Sequence, residues 1–339
     1  MKVMEMRDGW GLDFLVPGTR PDPAPPGPGE VLVRFEAASL NYRDLVMAEH
    51  GYGGGLGALP LILVSDGAGR VVETGSGVTR CRTGDLVSPI FVQGWLSGPY
   101  REDYRGGIMG GGIDGVIREF GVFPESGLVT APEGWSALEA ATLPCAAVTA
   151  WNAVIGNGTR PGDVVVTEGT GGVSLFVLQF AKLAGATLII TSSSDQKLDR
   201  AKRMGADIAI NYKTHPEWAR EVRKAIGRGA DLVVDLGGAA TLDQSVRAVR
   251  ASGTVALIGV LGGGTAPLAL GRIATQAIRL VAATSGNRDM FEALVRAIDR
   301  HGIKPAIDDH VYAFGEVAEA LRVLKEGRHF GKICLDLTR

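Results

Sequence analysis

The stretch VVVTEGTGGVSLFVLQFAKLAG, residues 164–185, decides the fold. Val164, Val165 and Val166 open it as a short apolar, β-branched run, the composition of a strand buried on both faces. Gly169-Thr170-Gly171-Gly172-Val173-Ser174 follows, a turn dense in glycine. Beyond it Val173, Phe176, Val177, Phe180, Ala181 and Ala184 recur at helical spacing, a stripe that can lie on a sheet. Strand, glycine turn and helix together aim backbone N–H groups and a helix N-terminus at a pyrophosphate. Gly169 can make the tight turn, and Gly171 leaves room for phosphates to reach the backbone. Ser174 stands at the third position, where glycine is commoner, so a slightly looser helix–strand contact is expected. Taken alone, such a turn can also merely reverse the chain.

The surroundings favour the nucleotide reading. Strands are expected at Thr187–Thr191, Asp207–Ile210, Leu232–Asp235 and Thr254–Ile258. Helices are expected between them at Asp195–Met204, Glu217–Ile226 and Leu242–Arg250. This alternation means right-handed crossovers and an α/β fold with a parallel, doubly wound sheet. At the end of the second strand, an NAD-selective site carries Asp or Glu for the ribose 2′-OH. Here Ser192, Ser193 and Ser194 stand instead, with Lys197 one helical turn on. Three hydroxyls and an ammonium can accept a 2′-phosphate, which favours NADP(H). The bland alternative is a serine N-cap followed by Asp195 in the first helical turn.

Length and composition narrow the class. A chain of 339 residues fits two domains, each large enough to bury a core. Its 35 Lys plus Arg against 37 Asp plus Glu leave no basic stripe for nucleic acid or a membrane face. Cys81, Cys145 and Cys334 are far apart and form no Cys-x-x-Cys pair, which suits a reducing cytoplasm. No leader-like h-region opens the chain and no apolar run approaches ~18 residues, so neither secretion nor membrane spanning is expected.

Residues 1–130 read differently. Short strands at Val31–Phe35, Gly69–Glu73, Asp85–Pro89 and Phe120–Phe123, with frequent turn residues, suggest an antiparallel, barrel-like pattern. The proline run Pro21–Gly29 reads as a stiff surface turn.

Asn41-Tyr42-Arg43-Asp44, Ser65-Asp66-Gly67-Ala68-Gly69, Val78–Val87, the glycine turn and Gly331-Lys332-Ile333 resemble the medium-chain dehydrogenase/reductase superfamily, nearest its zinc-independent, quinone-oxidoreductase-like branch. The resemblance covers nearly the whole chain. It implies a GroES-like, mainly-β catalytic domain (1–130 and 285–339) with a Rossmann NADP(H)-binding domain (131–284) inserted. It also implies a homodimer. Thr149 matches a family position near the nicotinamide. Asn211, Tyr212, Gly237 and the Gly259-Val260-Leu261 turn fall at carboxyl ends of strands, where such sheets bind ligands. Together with Gly169, Thr170, Gly171, Gly172, Val173, Ser192–Ser194 and Lys197, they form the candidate cofactor set.

The superfamily's alcohol dehydrogenases hold catalytic zinc with a Cys, a His-Glu pair and a second Cys or Asp. This chain has Asn41, Ser65-Asp66 and Cys145 at those positions. One thiol among amide and hydroxyl groups does not make a tetrahedral N/S site, so no metal is expected. Cys145, in an apolar run, reads as a small buried hydrophobe. Without a Lewis acid, hydride transfer suits an acceptor that delocalises charge, a quinone or an α,β-unsaturated carbonyl. Asn41 and Tyr42 are the candidate catalytic donors; the alternative is a helix start with Asn41 as cap and Tyr42 packed. A glycine loop through Tyr52 and the excursion Gln93–Gly115 are candidate lids or slack surface, with Trp95, Tyr100 and Tyr104 as aromatic walls. Two rivals stay open: a zinc-free alcohol dehydrogenase or carbonyl reductase, and a non-catalytic NADPH-binding protein.

Overall fold

A computed structural model describes residues 1–50 and 57–339. The expected loop through Tyr52 lies, over residues 51–56, outside the described residues. The chain forms two compact units, residues 1–148 with 286–339, and 149–285.

The first unit holds two sheets. The smaller aligns Leu15–Thr19, Lys2–Met6 and Leu61–Ile62 in antiparallel order. The larger runs Ile307–Ala313, Lys332–Asp336, Glu30–Ser39, Asp66–Thr74, Leu86–Pro89 and Leu128–Thr130, with Phe120–Pro124 also paired to Glu30–Ser39. Each expected strand of the first 130 residues is present, longer or shorter by a few residues at its ends. Lys332–Asp336 pairs antiparallel with Glu30–Ser39 through Cys334 opposite Ser39. The far end of the chain thereby completes a sheet begun near its start. Alternate residues of these strands, among them Val31, Val33, Phe35 and Ile333, fill one core with Val3, Met6, Leu45 and Leu321.

The second unit is a six-stranded parallel sheet. Its order is Ile208–Asn211, Thr187–Ser192, Val164–Glu168, Ala230–Asp235, Val249–Leu257 and Arg279–Ala282. In order of appearance this is 3-2-1-4-5-6, the doubly wound arrangement with its switch point between the first and fourth strands. All five residues of Val164–Glu168 are buried, as a central strand requires. The helix Gly172–Leu183 buries Phe176, Val177, Phe180 and Ala181, while Val173 and Ala184 are half-buried. Phe180 meets Trp151 edge-on at 5.3 Å and stacks on Phe176 at 5.8 Å.

Three expectations need correction. The first junction falls at 148/149, not 130/131, because Ala140 and Ala141 pack with Ala37, Ala68 and Leu86 of the first unit. The helix from Leu242 stops at Ala248, since Val249 already begins the next strand. The helical stretch Ala137–Gly156 is long and apolar enough to pass for a membrane span by composition; 67% of its most apolar window is buried inside the protein. That burial is what a core helix shows.

Candidate functional site

In the first unit the chemistry gathers where Asp66–Thr74 starts. Asn41 precedes the helix Tyr42–Ala48, and its backbone N–H donates to Asp44 Oδ2 at 2.8 Å. The backbone thus serves the cap, and the Asn41 side chain is committed elsewhere. Its Oδ1 accepts from Lys332 Nζ at 2.6 Å, and its Nδ2 faces Ser65 Oγ at 3.3 Å. An ammonium has no lone pair, so the amide oxygen must be the atom facing it. Ser65 Oγ donates to Asp66 Oδ1 at 2.9 Å, while Asp66 Oδ2 accepts the Cys145 backbone N–H at 3.0 Å. Lys332 is only 2% exposed; it also donates to the Leu40 carbonyl at 2.6 Å and lies 4.0 Å from Asp66 Oδ2. Burial pushes the Asp44 and Asp66 carboxyls up, against the pull of Arg43 on the first and Lys332 on the second.

Val64, fully buried, has φ +69°, a left-handed conformation that a β-branched residue rarely adopts. This bend brings the Ser65 N–H to Asp44 Oδ1 at 3.2 Å. The sequence offered no signal for it. Tyr42 does not join this network among the described residues. It stands 38% exposed rather than packed, near enough to Lys325 to help Glu49 raise that ammonium.

The four positions that bind zinc in the superfamily do not fit a metal here. Burial, with Asp66 beside it, pushes the Cys145 thiol far above its ordinary range, and the Asn41 oxygen is taken by a cation. Thiolate is the ligand form, and an ammonium in the cluster repels a second cation.

Trp95, Tyr100 and Tyr104 do come together, with ring centroids 5.1 to 6.3 Å apart. The excursion around them is exposed over residues 97–103 and packed towards its end. A Cβ on Gly112 would sit 2.4 Å from the Gly106 carbonyl oxygen, Met109 is fully buried, and Val92 bridges to Ile108. Its glycines permit close backbone packing.

In the second unit, Gly169 has φ +77°, where any side chain is strained, and its N–H donates to the Thr191 carbonyl at 2.8 Å. Gly171 then leads into the helix from Gly172, so Thr170, Gly171, Gly172 and Val173 surround a helix N-terminus with no acidic residue in its first turn. That end can hold a phosphate. The looser contact expected at Ser174 is absent: the buried hydroxyl donates to the Glu168 carbonyl at 2.6 Å. Thr149 is buried in the helical stretch that opens this unit.

Ser192, Asn211 and Tyr212 meet at neighbouring strand ends, with the Tyr212 N–H on the Ser192 carbonyl at 3.1 Å. Ser194 does cap its helix, accepting the Lys197 N–H at 3.4 Å, and Ser193 is half-buried beside it. The Asn211 Nδ2 donates to Asp195 Oδ1 at 2.8 Å. Gly237 and the Gly259-Val260-Leu261 turn are knitted together: the Gly262 N–H donates to the Gly237 carbonyl at 2.8 Å, and Val260 is 63% exposed. Sequence reasoning missed what lies beneath them. Two carboxyl groups, Glu168 and Asp235, meet the Ser245 hydroxyl in a buried trio, signalled only by carboxylates at the ends of two neighbouring strands.

Comparison with known proteins places this geometry. Residues 27–133 match the family described as alcohol dehydrogenase GroES-like domain, and residues 172–300 match zinc-binding dehydrogenase. A zinc-type alcohol dehydrogenase-like protein of Schizosaccharomyces pombe is 39% identical over 335 residues, 96% of each chain. A crystal structure described as an NAD-dependent alcohol dehydrogenase superposes with a TM-score of 0.89 at 34% identity, covering 99% of this chain and 100% of the other. A mycobacterial protein complexed with NADPH superposes with a TM-score of 0.83 at 25% identity, covering 99% and 100%.

Proposed function

Since the chain belongs to the medium-chain dehydrogenase/reductase superfamily, a family of pyridine-nucleotide oxidoreductases, we propose that it is an NADPH-dependent, zinc-free enzyme that reduces a quinone or an α,β-unsaturated carbonyl. The observation that carries this reading is the Lys332–Asn41 contact at the position of the family's metal. The nicotinamide, when bound, supplies the hydride. Glycine turn, helix N-terminus and the serines at the second strand's end would hold the dinucleotide, with Lys197 near its 2′-phosphate.

Asn41 Nδ2 faces Ser65 Oγ and also bonds Asp66, and Lys332 keeps the amide from flipping. An Nδ2 N–H, exchanged from one of these partners, is offered to the acceptor's oxygen as negative charge develops there. One neutral donor polarises a simple ketone weakly. An enone or quinone spreads the charge over its conjugated system and asks for less. The Tyr42 phenol, exposed one residue on, is the proposed proton donor. A second reading, reduction of aldehydes or ketones without zinc, is favoured by the alcohol dehydrogenase names of the relatives. We also propose a cytoplasmic homodimer.

Steady-state oxidation of NADPH and NADH with quinones, enones, aldehydes and ketones tests the reading. Turnover of an enone or quinone with NADPH preferred is expected, with Lys197→Ala weakening NADPH alone. Tyr42→Phe should lower kcat/KM on an enone roughly tenfold or more. Turnover of aldehydes alone would establish the second reading, and nucleotide binding without any turnover would end both. One zinc per purified chain would overturn the metal-free mechanism.

A further inference from the structure

We propose that Glu168 is a positioning residue that makes dinucleotide affinity depend on a single shared proton, by tying the glycine turn to the Gly237 turn. This inference rests on reading the second unit as the nucleotide site.

The argument begins with a hydroxyl. Ser245 Oγ lies 2.8 Å from Glu168 Oε1 and 2.6 Å from Asp235 Oδ2. A serine has one proton to donate, so it serves one carboxylate only. The other contact, also at hydrogen-bond distance, requires a proton on the second carboxyl group. Asp235 is the better-served anion: Gly238 N–H reaches its Oδ1 at 2.8 Å, and Thr241 Oγ1 is 3.1 Å from both its oxygens. Glu168 Oε2 accepts from the Leu236 and Gly237 N–H groups at 3.0 and 3.1 Å, which leaves Oε1 to carry the proton. The chain of donors therefore runs from the Glu168 carboxylic acid to Ser245 and on to the Asp235 carboxylate.

The surroundings agree. Burial, then the neighbouring Asp235 charge, push the Glu168 carboxyl up to about 7. The strand Ala230–Asp235 presents Asp235, the helix Leu242–Ala248 presents Ser245, and the helix Gly172–Leu183 presents the Ser174 hydroxyl on the Glu168 carbonyl. Asp235 is the other carboxyl group among these, and among the described residues it forms no ion pair.

Position gives the proton its effect. Glu168 ends the first strand and immediately precedes Gly169; Asp235 ends the adjacent fourth strand and precedes Leu236-Gly237-Gly238. A parallel sheet of this kind binds its ligand outside these two strand ends. With the proton present the two crests are linked. Without it, two buried carboxylates repel across Ser245, and an incoming phosphate group adds a third negative charge. Binding therefore favours the protonated form, and affinity falls as pH rises through 7.

Titrating intrinsic or nicotinamide fluorescence with NADPH and with NADH from pH 6 to 8.5 tests this on the whole protein. The parent's Kd should rise above pH 7, by up to about tenfold per unit. Glu168→Gln keeps both acceptor bonds and donates permanently to Ser245, so its Kd should match the parent's low-pH value and stay flat. Glu168→Leu should bind weakly at every pH. A parent profile with no rise, or a rise that Glu168→Gln retains, overturns the proposal. If the parent binds neither nucleotide at any pH, the nucleotide reading itself fails and this inference with it.

Discussion

A single buried lysine does more than its neighbours in the first unit. Lys332 orients Asn41, closes the Leu40 carbonyl and stands beside Asp66, all with almost no water in reach. Removing one partner of such a cluster leaves the other uncompensated, which costs far more than the pair contributes net. Lys332→Met should therefore destabilise by about 3–5 kcal/mol in urea unfolding. Adding Asp66→Asn to that variant should recover about 1 kcal/mol or more, and strictly additive losses would show that the two groups are uncoupled. None of this was legible along the sequence. Lys332 and Asn41 are 291 positions apart, and a lone lysine opening an apolar strand does not announce which distant amide it will grip. Glu168 was overlooked for the same reason, since its partner Ser245 lies 77 positions away on a helix.

At the scale of elements the sequence was far more readable. From Val164 to Gly185 the apolar period changes from that of a strand to that of a helix across a glycine turn, and both elements form at that place. Alternation downstream gave the parallel sheet, whereas the sixth strand, Arg279–Ala282, went unseen because it is short and none of its four residues is fully buried. Helix and strand abut at Ala248 and Val249 with no turn residue between them, so that boundary carried no punctuation. The helix after the glycine turn holds its place through Phe180, wholly buried between Trp151 and Phe176. Phe180→Ala should lower unfolding free energy by about 3–5 kcal/mol. A loss below ~1 kcal/mol in denaturant titration would mean that this helix is not held by its aromatic face.

For the whole molecule, the second unit exposes Val260, Leu261, Leu268 and Leu270, and its sheet ends on Arg279–Ala282. An apolar margin beside an open strand edge suits a second copy. Sedimentation equilibrium should give twice the chain mass, and Leu270→Glu should shift it towards the monomer; a monomeric parent would remove the homodimer. The nested layout, with residues 149–285 interrupting the other unit, could be inferred only from family resemblance, because periodicity says nothing about which distant strands become neighbours. That nesting has a consequence during synthesis. The central parallel sheet has all its strands as soon as Ala282 leaves the ribosome, but the strand Glu30–Ser39, already paired with Asp66–Thr74 and Phe120–Pro124, waits for Lys332–Asp336 to emerge before the edge at Ala37–Ser39 has its last partner. The portion made first is thus among the last to be finished, and a nascent chain halted short of Lys332 presents a bare edge that chaperones, or other unfinished copies, are free to seize.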